Sequence, residues 1–240
     1  MSKIIAVCGS PDSGKTTVAL KLAQEIYALN KAPVIYLSTD LEVPGMAYIF
    51  PNGKDSELYS LGAALDKTDI YKEDILKQTV NTDKARDLGF LGFKLGEHKY
   101  SYPRPTEDKV AQLFAALRDC AEYVIVDCSR DPDDLISALA KRDCDIAVQI
   151  FSPDLKCIAY YASCVNQFIA VEDKKIKVLN VTDKDVYAPV NETEKHFGGM
   201  DFTLPYERTL KQQAITGTLS ERLANCKFRN EIGRLAKAVM

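Results

Sequence analysis

The sequence predicts an α/β fold of three layers, in which helices cover both faces of a mostly parallel central sheet of about seven to eight strands. Three observations lead to this prediction. Short apolar runs alternate with helical patterns along the chain, and two of the runs lead into a carboxylate, Asp40 and Asp127. Apolar residues make up 46% of the chain, which suits one large core. No repeat, linker or low-complexity tract divides the sequence, so we expect a single domain over residues 1–240.

The predicted strands are short apolar runs bounded by polar turns. They cover residues 4–8, 33–37, 89–93, 123–127, 145–151, 175–180 and 202–205. Residues 41–88 are less regular, with helical patterns near 70–79 and many polar turns. We therefore expect the variable part of the fold between residues 41 and 105.

The predicted helices are marked by apolar residues three and four positions apart. The first runs from Thr17 to Leu29, and Asn30 and Pro33 end it. Pro105 and Thr106 open the second, whose apolar face is formed by Val110, Leu113, Phe114 and Leu117. The third runs from about Ser220 to the end of the chain.

The composition excludes several classes of function. The net charge is −3, so nucleic-acid binding by the chain as a whole is not favoured. The seven cysteines form no C-x-x-C pair and the two histidines stand alone, which argues against a metal site built from these residues. We interpret the cysteines as buried, reduced residues of a cytoplasmic protein. No apolar run approaches the ~20 residues that span a bilayer.

One motif points directly to chemistry. The segment Gly9-Ser10-Pro11-Asp12-Ser13-Gly14-Lys15-Thr16 fits G-x-x-x-x-G-K-[ST], between the first predicted strand and the first predicted helix. Such a loop exposes backbone N–H groups to phosphate oxygens, and the helix dipole adds to the attraction. The motif predicts a P-loop NTPase fold and a site for ATP or ADP. The residues expected to contact the nucleotide here are Gly9, Ser10, Pro11, Asp12, Ser13, Gly14, Lys15, Thr16 and Thr17.

Hydrolysis on such a loop needs Mg²⁺, which is held by a hydroxyl and by a carboxylate on another strand. Lys15 would reach the β- and γ-phosphates, and Thr16 would bind the metal. Asp127 ends a buried strand at the sheet edge where ligands collect, so it is the predicted metal carboxylate. Asp40 also follows a strand and could orient water or hold a metal-bound water. The alternative for both aspartates is a carboxylate that caps a turn.

One further residue is predicted to hold the base. Asn180 ends a strand and begins Asn180-Val181-Thr182-Asp183, which fits N-x-x-D but lacks the lysine of the guanine-reading N-K-x-D. The missing lysine favours adenine, and GTP stays open as an alternative.

The phosphate-binding motif, the strand end Ser38-Thr39-Asp40 and Asp127 resemble those of the MinD/ParA-type ATPases in the SIMIBI division of P-loop proteins. Leu37-Ser38-Thr39-Asp40 is similar to switch I of the arsenite-pump and tail-anchored-protein-targeting ATPases. Leu204-Pro205-Tyr206-Glu207 resembles the MinD segment that holds the base, so the resemblance implies that Pro205 and Tyr206 contact the base. Asp127-Cys128-Ser129-Arg130 and Phe151-Ser152-Pro153-Asp154-Leu155 look most like the CpaE/TadZ pilus-assembly branch. The resemblance implies an ATP-dependent homodimer, a protein partner and possible recruitment to a cell pole or membrane.

The phosphate-binding motif departs from this family in one respect. The family carries a second lysine early in the loop that reaches the partner's nucleotide across a dimer, and Ser10 stands at that position. Pro11 and Asp12 replace family glycines, and Asp12 adds negative charge beside the phosphates. Arg130 is a candidate for the missing cation, and a solvated loop arginine is its alternative. We predict slow hydrolysis, with the nucleotide state acting as a switch.

Two other functions compete with a dimerisation switch that positions a pilus, secretion, plasmid or chromosome apparatus. One is a small-molecule ligase or kinase, whose acceptor would be bound by Tyr100, Tyr102 and Arg104. The other is a binding module that does not hydrolyse its nucleotide, because of Ser10 and Asp12. The basic, amphipathic last helix could lie on an anionic membrane, but we expect it to close one face of the domain, so membrane contact is not favoured.

Overall fold

The computed structural model describes residues 2–51, 53, 59–187 and 189–240. Its strands form one eight-stranded sheet in the order β3-β4-β2-β5-β1-β6-β7-β8. Neighbouring strands are parallel except for β3 and β4. The strands are β1 Lys3–Gly9, β2 Val34–Ser38, β3 Val80–Thr82, β4 Ala85–Leu91, β5 Tyr123–Asp127, β6 Ile146–Phe151, β7 Lys175–Asn180 and β8 Phe202–Leu204. The predicted fold class is confirmed.

Helices connect the parallel strands, as such a topology requires. They are α1 Lys15–Asn30, α2 Gly45–Ile49, α3 Leu61–Leu65, α4 Lys72–Lys77, α5 Glu107–Cys120, α6 Leu135–Asp143, α7 Leu155–Ser163, α8 Val190–His196, α9 Arg208–Thr216 and α10 Lys227–Val239. A 3-10 segment covers Val165–Lys174. Among the described residues, none of the helices combines the length and the apolar character needed to cross a bilayer.

The core has two large layers, one on each face of the sheet. Alternate strand residues supply each layer, since neighbouring side chains of a strand point to opposite faces. One layer packs α5, α6 and the 3-10 segment against Ile4, Ala6 and Val126. The other packs α1 and α10 against Ile5, Val7 and Ile125. This second layer also places α1 above the strand ends that carry the predicted site.

The first helix is longer than predicted and has an open start. It begins at Lys15, and its N-cap residue, Gly14, provides no side-chain hydrogen bond to the first turn. The helix ends at Asn30, and the C-cap residue Lys31 has a positive φ of 57° and donates its N–H to the carbonyl of Tyr27. The first-turn N–H groups of α1 are therefore left for another acceptor.

The last helix is shorter than predicted, since α10 starts at Lys227 and not near Ser220. Two side chains of α1 explain the difference. Lys21 donates to the carbonyls of Leu219 and Glu221 at 2.8 and 2.7 Å, and Gln24 donates to that of Ser220 at 2.7 Å. The carbonyls of residues 219–221 thus accept hydrogen bonds from side chains of α1, and this segment forms a turn before the helix.

The cysteine prediction is correct for four of the seven. All seven are free thiols, and Cys8, Cys128, Cys144 and Cys157 are buried. Cys120, Cys164 and Cys226 are half-buried, which corrects the expectation of burial for these three. Groups of three or more His, Cys, Asp or Glu side chains that could hold a metal are not found among the described residues.

Candidate nucleotide-binding site

The phosphate-binding motif forms a tight loop between β1 and α1. Asp12 and Gly14 adopt positive φ values of 60° and 79°, the region in which Gly is favoured and Asp is tolerated. Ser13 Oγ donates to the carbonyl of Ser10 at 2.7 Å and closes the loop from inside. A side chain at Gly9 would lie 2.4 Å from the carbonyl oxygen of Ile150, so the start of the loop needs glycine. Pro11, Thr16 and Thr17 are half-buried around it.

Lys15 lies within this loop and has few partners. Its Nζ donates to the carbonyl of Ser10 at 3.0 Å. Burial lowers the pKa of Lys15, and the negative charge of Asp127 opposes that shift. A partly buried ammonium beside uncapped helix N–H groups is a favourable position for a bound anion. The loop and Lys15 therefore fit a phosphate group.

Asp127 is the most buried carboxylate near the loop, with an exposed fraction of 3%. It is paired in register with Val7 of β1 and Ser38 of β2, which places it at the carboxyl edge of the sheet. Its Oδ2 accepts a hydrogen bond from Tyr36 at 2.8 Å. Within the described part of the chain, its Oδ1 is buried and has no hydrogen-bond partner.

The surroundings of Asp127 disfavour its ionised form unless a cation lies beside it. Burial raises its pKa to about 6, although the hydroxyls of Thr16 and Tyr36 and the ammonium of Lys15 lower it in part. Asp40 is close enough to raise it slightly. A buried acceptor without a donor is costly, and a cation at this point would remove the cost. Thr16 and Asp127 are thus a donor set that fits Mg²⁺.

Two tyrosines beside Asp127 were not found from the sequence. Tyr36 of β2 is fully buried, and burial and the Asp127 charge raise its pKa well above the ordinary value, so it remains a hydrogen-bond donor. Tyr48 of α2 is raised in pKa by burial and by Asp127, while the nearby Thr16 hydroxyl lowers it. The signal for Tyr36 is a tyrosine within the aliphatic strand Val34–Ser38, since a buried hydroxyl needs a partner.

Asp40 performs the turn-capping role that the sequence offered as its alternative. Its Oδ1 accepts from the N–H groups of Glu42 and Val43 at 3.0 and 2.8 Å. The side chain is half-exposed, and its charge acts on Lys15 and Asp127. Asp40 therefore shapes the loop after β2 and lies close to the same site.

A buried network joins the loops that follow β2 and β5. The N–H of Thr39 donates to the carbonyl of Asp127 at 3.2 Å, and the hydroxyls of Thr39 and Ser137 are 2.7 Å apart. The N–H of Ser129 lies within hydrogen-bond distance of both hydroxyls, at 3.0 and 2.8 Å. Ser129 Oγ in turn donates to Asp134 at 2.8 Å. The two loops are therefore held together by polar contacts below their exposed parts.

Of the three residues predicted to hold the base, Asn180 lies against the phosphate loop. Its amide donates to the carbonyl of Ser13 at 2.8 Å and is 5% exposed. Pro205 and Tyr206 are half-buried after β8, next to β7 in the sheet. Asp183 pairs with Lys211 at 2.8 Å, and the ammonium of Lys211 lies 5.4 Å from the centre of the Tyr206 ring. Asn180 thus braces the loop, and the Asp183 carboxylate is engaged by a lysine.

The loop residues that depart from the family differ in environment. Ser10 Oγ is buried, and no described residue forms a hydrogen bond with it. Asp12 is exposed and pairs with Lys156 of α7 at 3.5 Å. Arg130 pairs with Glu42 at 3.3 Å, and both side chains are more than half exposed. Two cations outside the motif, Lys156 and Arg130, therefore stand near the loops of this edge.

The residues proposed for a small-molecule acceptor do not form a common site. Tyr102 donates to Glu97 at 2.7 Å, and Glu97 also accepts from Ser60 at 2.7 Å. Tyr100 is 77% exposed, and Arg104 is exposed. The Tyr102 contacts fasten the segment 94–102 to the start of α3, which is a structural role.

The C-terminal helix packs its apolar face into the domain. Phe228, Ile232, Leu235 and Val239 are each at most 1% exposed and lie in the layer that contains α1. Glu25 of α1 is 7% exposed in its side chain and pairs with Arg229 at 3.0 Å. The expected closing of one face by this helix is therefore what the structure describes.

A scan of the chain against protein-family models and a search of curated proteins both find no match. Solved structures do match over nearly all of the chain. A ParA family ATPase from Chlorobium tepidum TLS has a TM-score of 0.76 at 14% identity, with 99% of each chain covered. The septum site-determining protein MinD from Pyrococcus horikoshii OT3, complexed with Mg-ADP, has a TM-score of 0.72 at 16% identity, covering 100% of this chain and 96% of that one.

A third similar structure is a putative plasmid partition protein from Borrelia burgdorferi B31 bound to AMPPNP. Its TM-score is 0.71 at 16% identity, and the alignment covers 100% of this chain and 98% of that one. At such low identity these likenesses establish the fold. The chain therefore has the fold of the MinD and ParA ATPases, as the resemblance implied.

Proposed function

We propose that the chain is a MinD/ParA-like protein that binds ATP with Mg²⁺, hydrolyses it slowly and dimerises in response to the nucleotide. The observation that carries the proposal is Asp127. Its Oδ1 is buried beside Thr16 and Lys15 at the end of the strand next to the phosphate loop, and none of the described residues donates a hydrogen bond to it. A cation bound with a polyphosphate would satisfy this oxygen and the charge balance of the loop together.

Different residues of the site would bind the phosphates, the metal and the base. The loop N–H groups and Lys15 would hold phosphate oxygens, and Thr16 and Asp127 would hold Mg²⁺, which neutralises charge that develops on the phosphates. Asp40, whose second oxygen is free of the turn it caps, is the proposed orienter of water. Asn180, Pro205 and Tyr206 are the proposed base contacts, with adenine favoured by the family resemblance and by the lysine of N-K-x-D that this sequence lacks.

Slow turnover is proposed from the charges around the loop. Asp12 places a carboxylate near the phosphates, and its ion pair with Lys156 is exposed and weak. Ser10 supplies no charge. Developing negative charge on the phosphates would therefore meet fewer cations than in a loop that carries a second lysine.

The switch is proposed from the loops after β2 and β5. The Thr39–Ser137 contact ties them together, while Glu42 and Arg130 form an exposed pair above them. A γ-phosphate that orders one loop would thus order both, and a second copy could bind the surface they form. The partner would be a homodimer mate together with a further protein. A structurally similar MinD from Aquifex aeolicus was solved as a MinC:MinD complex.

The apparatus served by the switch is proposed from the sequence resemblance alone. The CpaE/TadZ-like segments favour a pilus or secretion apparatus, and plasmid or chromosome partitioning is the alternative. A cytoplasmic protein recruited to a pole or membrane through its partner is consistent with this assignment.

Light scattering of the protein with Mg²⁺ and ADP, ATP or GTP tests the proposal. We expect a monomer with ADP and a dimer with ATP. The dimer should persist in Asp40→Ala, because that variant keeps the binding residues and loses the proposed orienter of water. Asp173→Ala, which removes an exposed carboxylate from the 3-10 segment, is the matched control and should behave like the unaltered protein.

The other functions predict different results. A monomer in every nucleotide, despite measurable ATP binding, would refute the switch. An ATPase rate that needs an added small-molecule acceptor would favour a kinase or ligase. An ATP-dependent dimer without any phosphate release over hours would favour a module that does not hydrolyse ATP.

A further inference from the structure

The hydroxyl of Tyr36 has a single described hydrogen bond, and it is made to the carboxylate of the candidate metal site. The strand register explains how this contact arises. Tyr36 is paired with Ile125, and Asp127 lies two residues further along β5. Both residues belong to the face of the sheet that packs on α1, because Tyr36 and Ile125 lie in that layer and strand side chains alternate. Two residues span roughly 6.6 Å, which a tyrosine ring can bridge.

The ring of Tyr36 is fixed by packing. Its exposed fraction is 0%, and its centroid lies 6.2 Å from that of Phe90 at an angle of 53°. Phe50 packs edge-on against Phe90 at 5.1 Å. The ring therefore cannot turn without disturbing the core, and the hydroxyl keeps its position at Asp127 Oδ2, 2.8 Å away.

This fixed donor makes the two oxygens of the Asp127 carboxylate different in their hydrogen bonding. Oδ2 is occupied by Tyr36, while Oδ1 is buried and has no partner among the residues that the structure describes. A phenylalanine would fill the same space in the core. The tyrosine adds a hydroxyl, which donates to Oδ2 of Asp127. The arrangement fixes the carboxylate plane and presents a single acceptor.

We propose that Tyr36 is a positioning residue, which holds the Asp127 carboxylate so that Oδ1 alone is available for the nucleotide-bound Mg²⁺. The proposal rests on the proposed function, since it concerns how the same site selects its metal. Outer hydrogen bonds of this kind orient metal ligands, and their loss commonly lowers metal affinity about 10- to 100-fold. Tyr36 would therefore set the Mg²⁺ requirement of nucleotide binding without touching the nucleotide.

The test measures ADP and ATP affinity by calorimetry across a Mg²⁺ titration and in EDTA. Tyr36→Phe keeps the ring and removes the hydroxyl. We expect the Mg²⁺ concentration for half-maximal enhancement of binding to rise about tenfold or more, while the affinity in EDTA changes less than about twofold. The control is Tyr123→Phe, a buried tyrosine in β5, four residues and about 13 Å along the strand from Asp127.

A double-mutant cycle shows whether Tyr36 acts through Asp127. In an Asp127→Asn background, Tyr36→Phe should leave the remaining Mg²⁺ dependence unchanged, because the carboxylate that it positions is gone. An unchanged Mg²⁺ midpoint in the single variant would overturn the proposal. So would an effect of equal size in the Asp127→Asn background, or one equal to that of Tyr123→Phe.

Failure of the inference and failure of the proposed function give different results. If the unaltered protein binds no nucleotide, or binds it equally with and without Mg²⁺, the proposed function itself is wrong. If the unaltered protein needs Mg²⁺ and Tyr36→Phe needs no more of it, only the role of Tyr36 is refuted. Thermal unfolding without nucleotide confirms for each variant that a changed midpoint does not reflect loss of folding.

Discussion

Asp127→Asn should make the nucleotide-free protein more stable at neutral pH, although it removes the central carboxylate of the site. The reason is the environment of the carboxyl group, which is 3% exposed and has a pKa raised to about 6 from 3.8. That increase corresponds to about 3 kcal/mol of unfavourable free energy for the ionised form, at about 1.36 kcal/mol per pKa unit. Asparagine keeps the shape and can still accept the Tyr36 hydrogen bond, but carries no charge.

The pH dependence of this gain has a definite sign. Below pH 3.8 the carboxyl is protonated in the folded and the unfolded chain, so it adds no cost. Between pH 3.8 and about 6 the folded protein retains a proton that the unfolded chain has released, and stability falls as the pH rises. Above pH 6 the full cost is present. The difference between Asp127→Asn and the unaltered protein should therefore grow from pH 4.5 to pH 6 and stay constant above it.

Urea unfolding at several pH values between about 4.5 and 8, without nucleotide or metal, measures this difference. For a chain of this size, 3 kcal/mol corresponds to about 6–12 °C in Tm, and partial solvation would reduce it. Asp173→Asn, an exposed carboxylate, is the control and should change stability by less than about 0.5 kcal/mol. Mg-ATP should raise the Tm of Asp127→Asn far less than it raises the Tm of the unaltered protein.

Two results would contradict this reasoning. One is an Asp127→Asn protein that is less stable than the unaltered chain at pH 7.5 without ligand. The other is a stability difference that does not change with pH, since a pH-independent gain would have to come from packing and not from the buried charge.

Three further substitutions follow from the same contacts. Gly14→Ala should lower ATP affinity at least about tenfold, because its Cβ would lie 2.5 Å from Asn180 Nδ2. Its control is Gly199→Ala, which has a φ of 90° and no described atom within 4 Å of the added Cβ, so it should cost only the backbone strain of about 1 kcal/mol. Asp12→Asn should tighten ATP binding about two- to fivefold at low salt, and the gain should vanish at high salt because the position is exposed. Glu25→Gln should destabilise the fold by about 2–3 kcal/mol in urea unfolding, since this buried carboxylate joins α1 to two arginines near the C-terminus.

The sequence predicted those parts of the fold that have a strong local signal. Strand β5 covers the predicted residues 123–127, because a run of buried aliphatic residues has few other uses in an α/β protein. Strand β3, Val80–Thr82, was missed: it is three residues long, polar at its centre and paired antiparallel at the sheet edge. Short edge strands carry little periodicity, so their position depends on the neighbour they pair with.

The candidate site shows the same division. The phosphate loop and Asp127 were predicted because each depends on residues next to each other in the chain. The contact of Tyr36 with Asp127 joins residues 91 positions apart, and that of Thr39 with Ser137 joins residues 98 positions apart. Both depend on β2 lying beside β5, a strand order that the linear pattern does not give.

The polar contacts at this edge of the sheet fall into two groups that have different consequences. The buried contacts, from Tyr36 to Asp127 and from Thr39 to Ser137, are costly to break because no water replaces the lost partner. The ion pair of Asp12 with Lys156 is exposed, and so is that of Glu42 with Arg130. Exposed pairs exchange partners at little cost. A bound phosphate or a second copy of the chain can therefore take over these cations while the buried frame keeps the metal ligand in place.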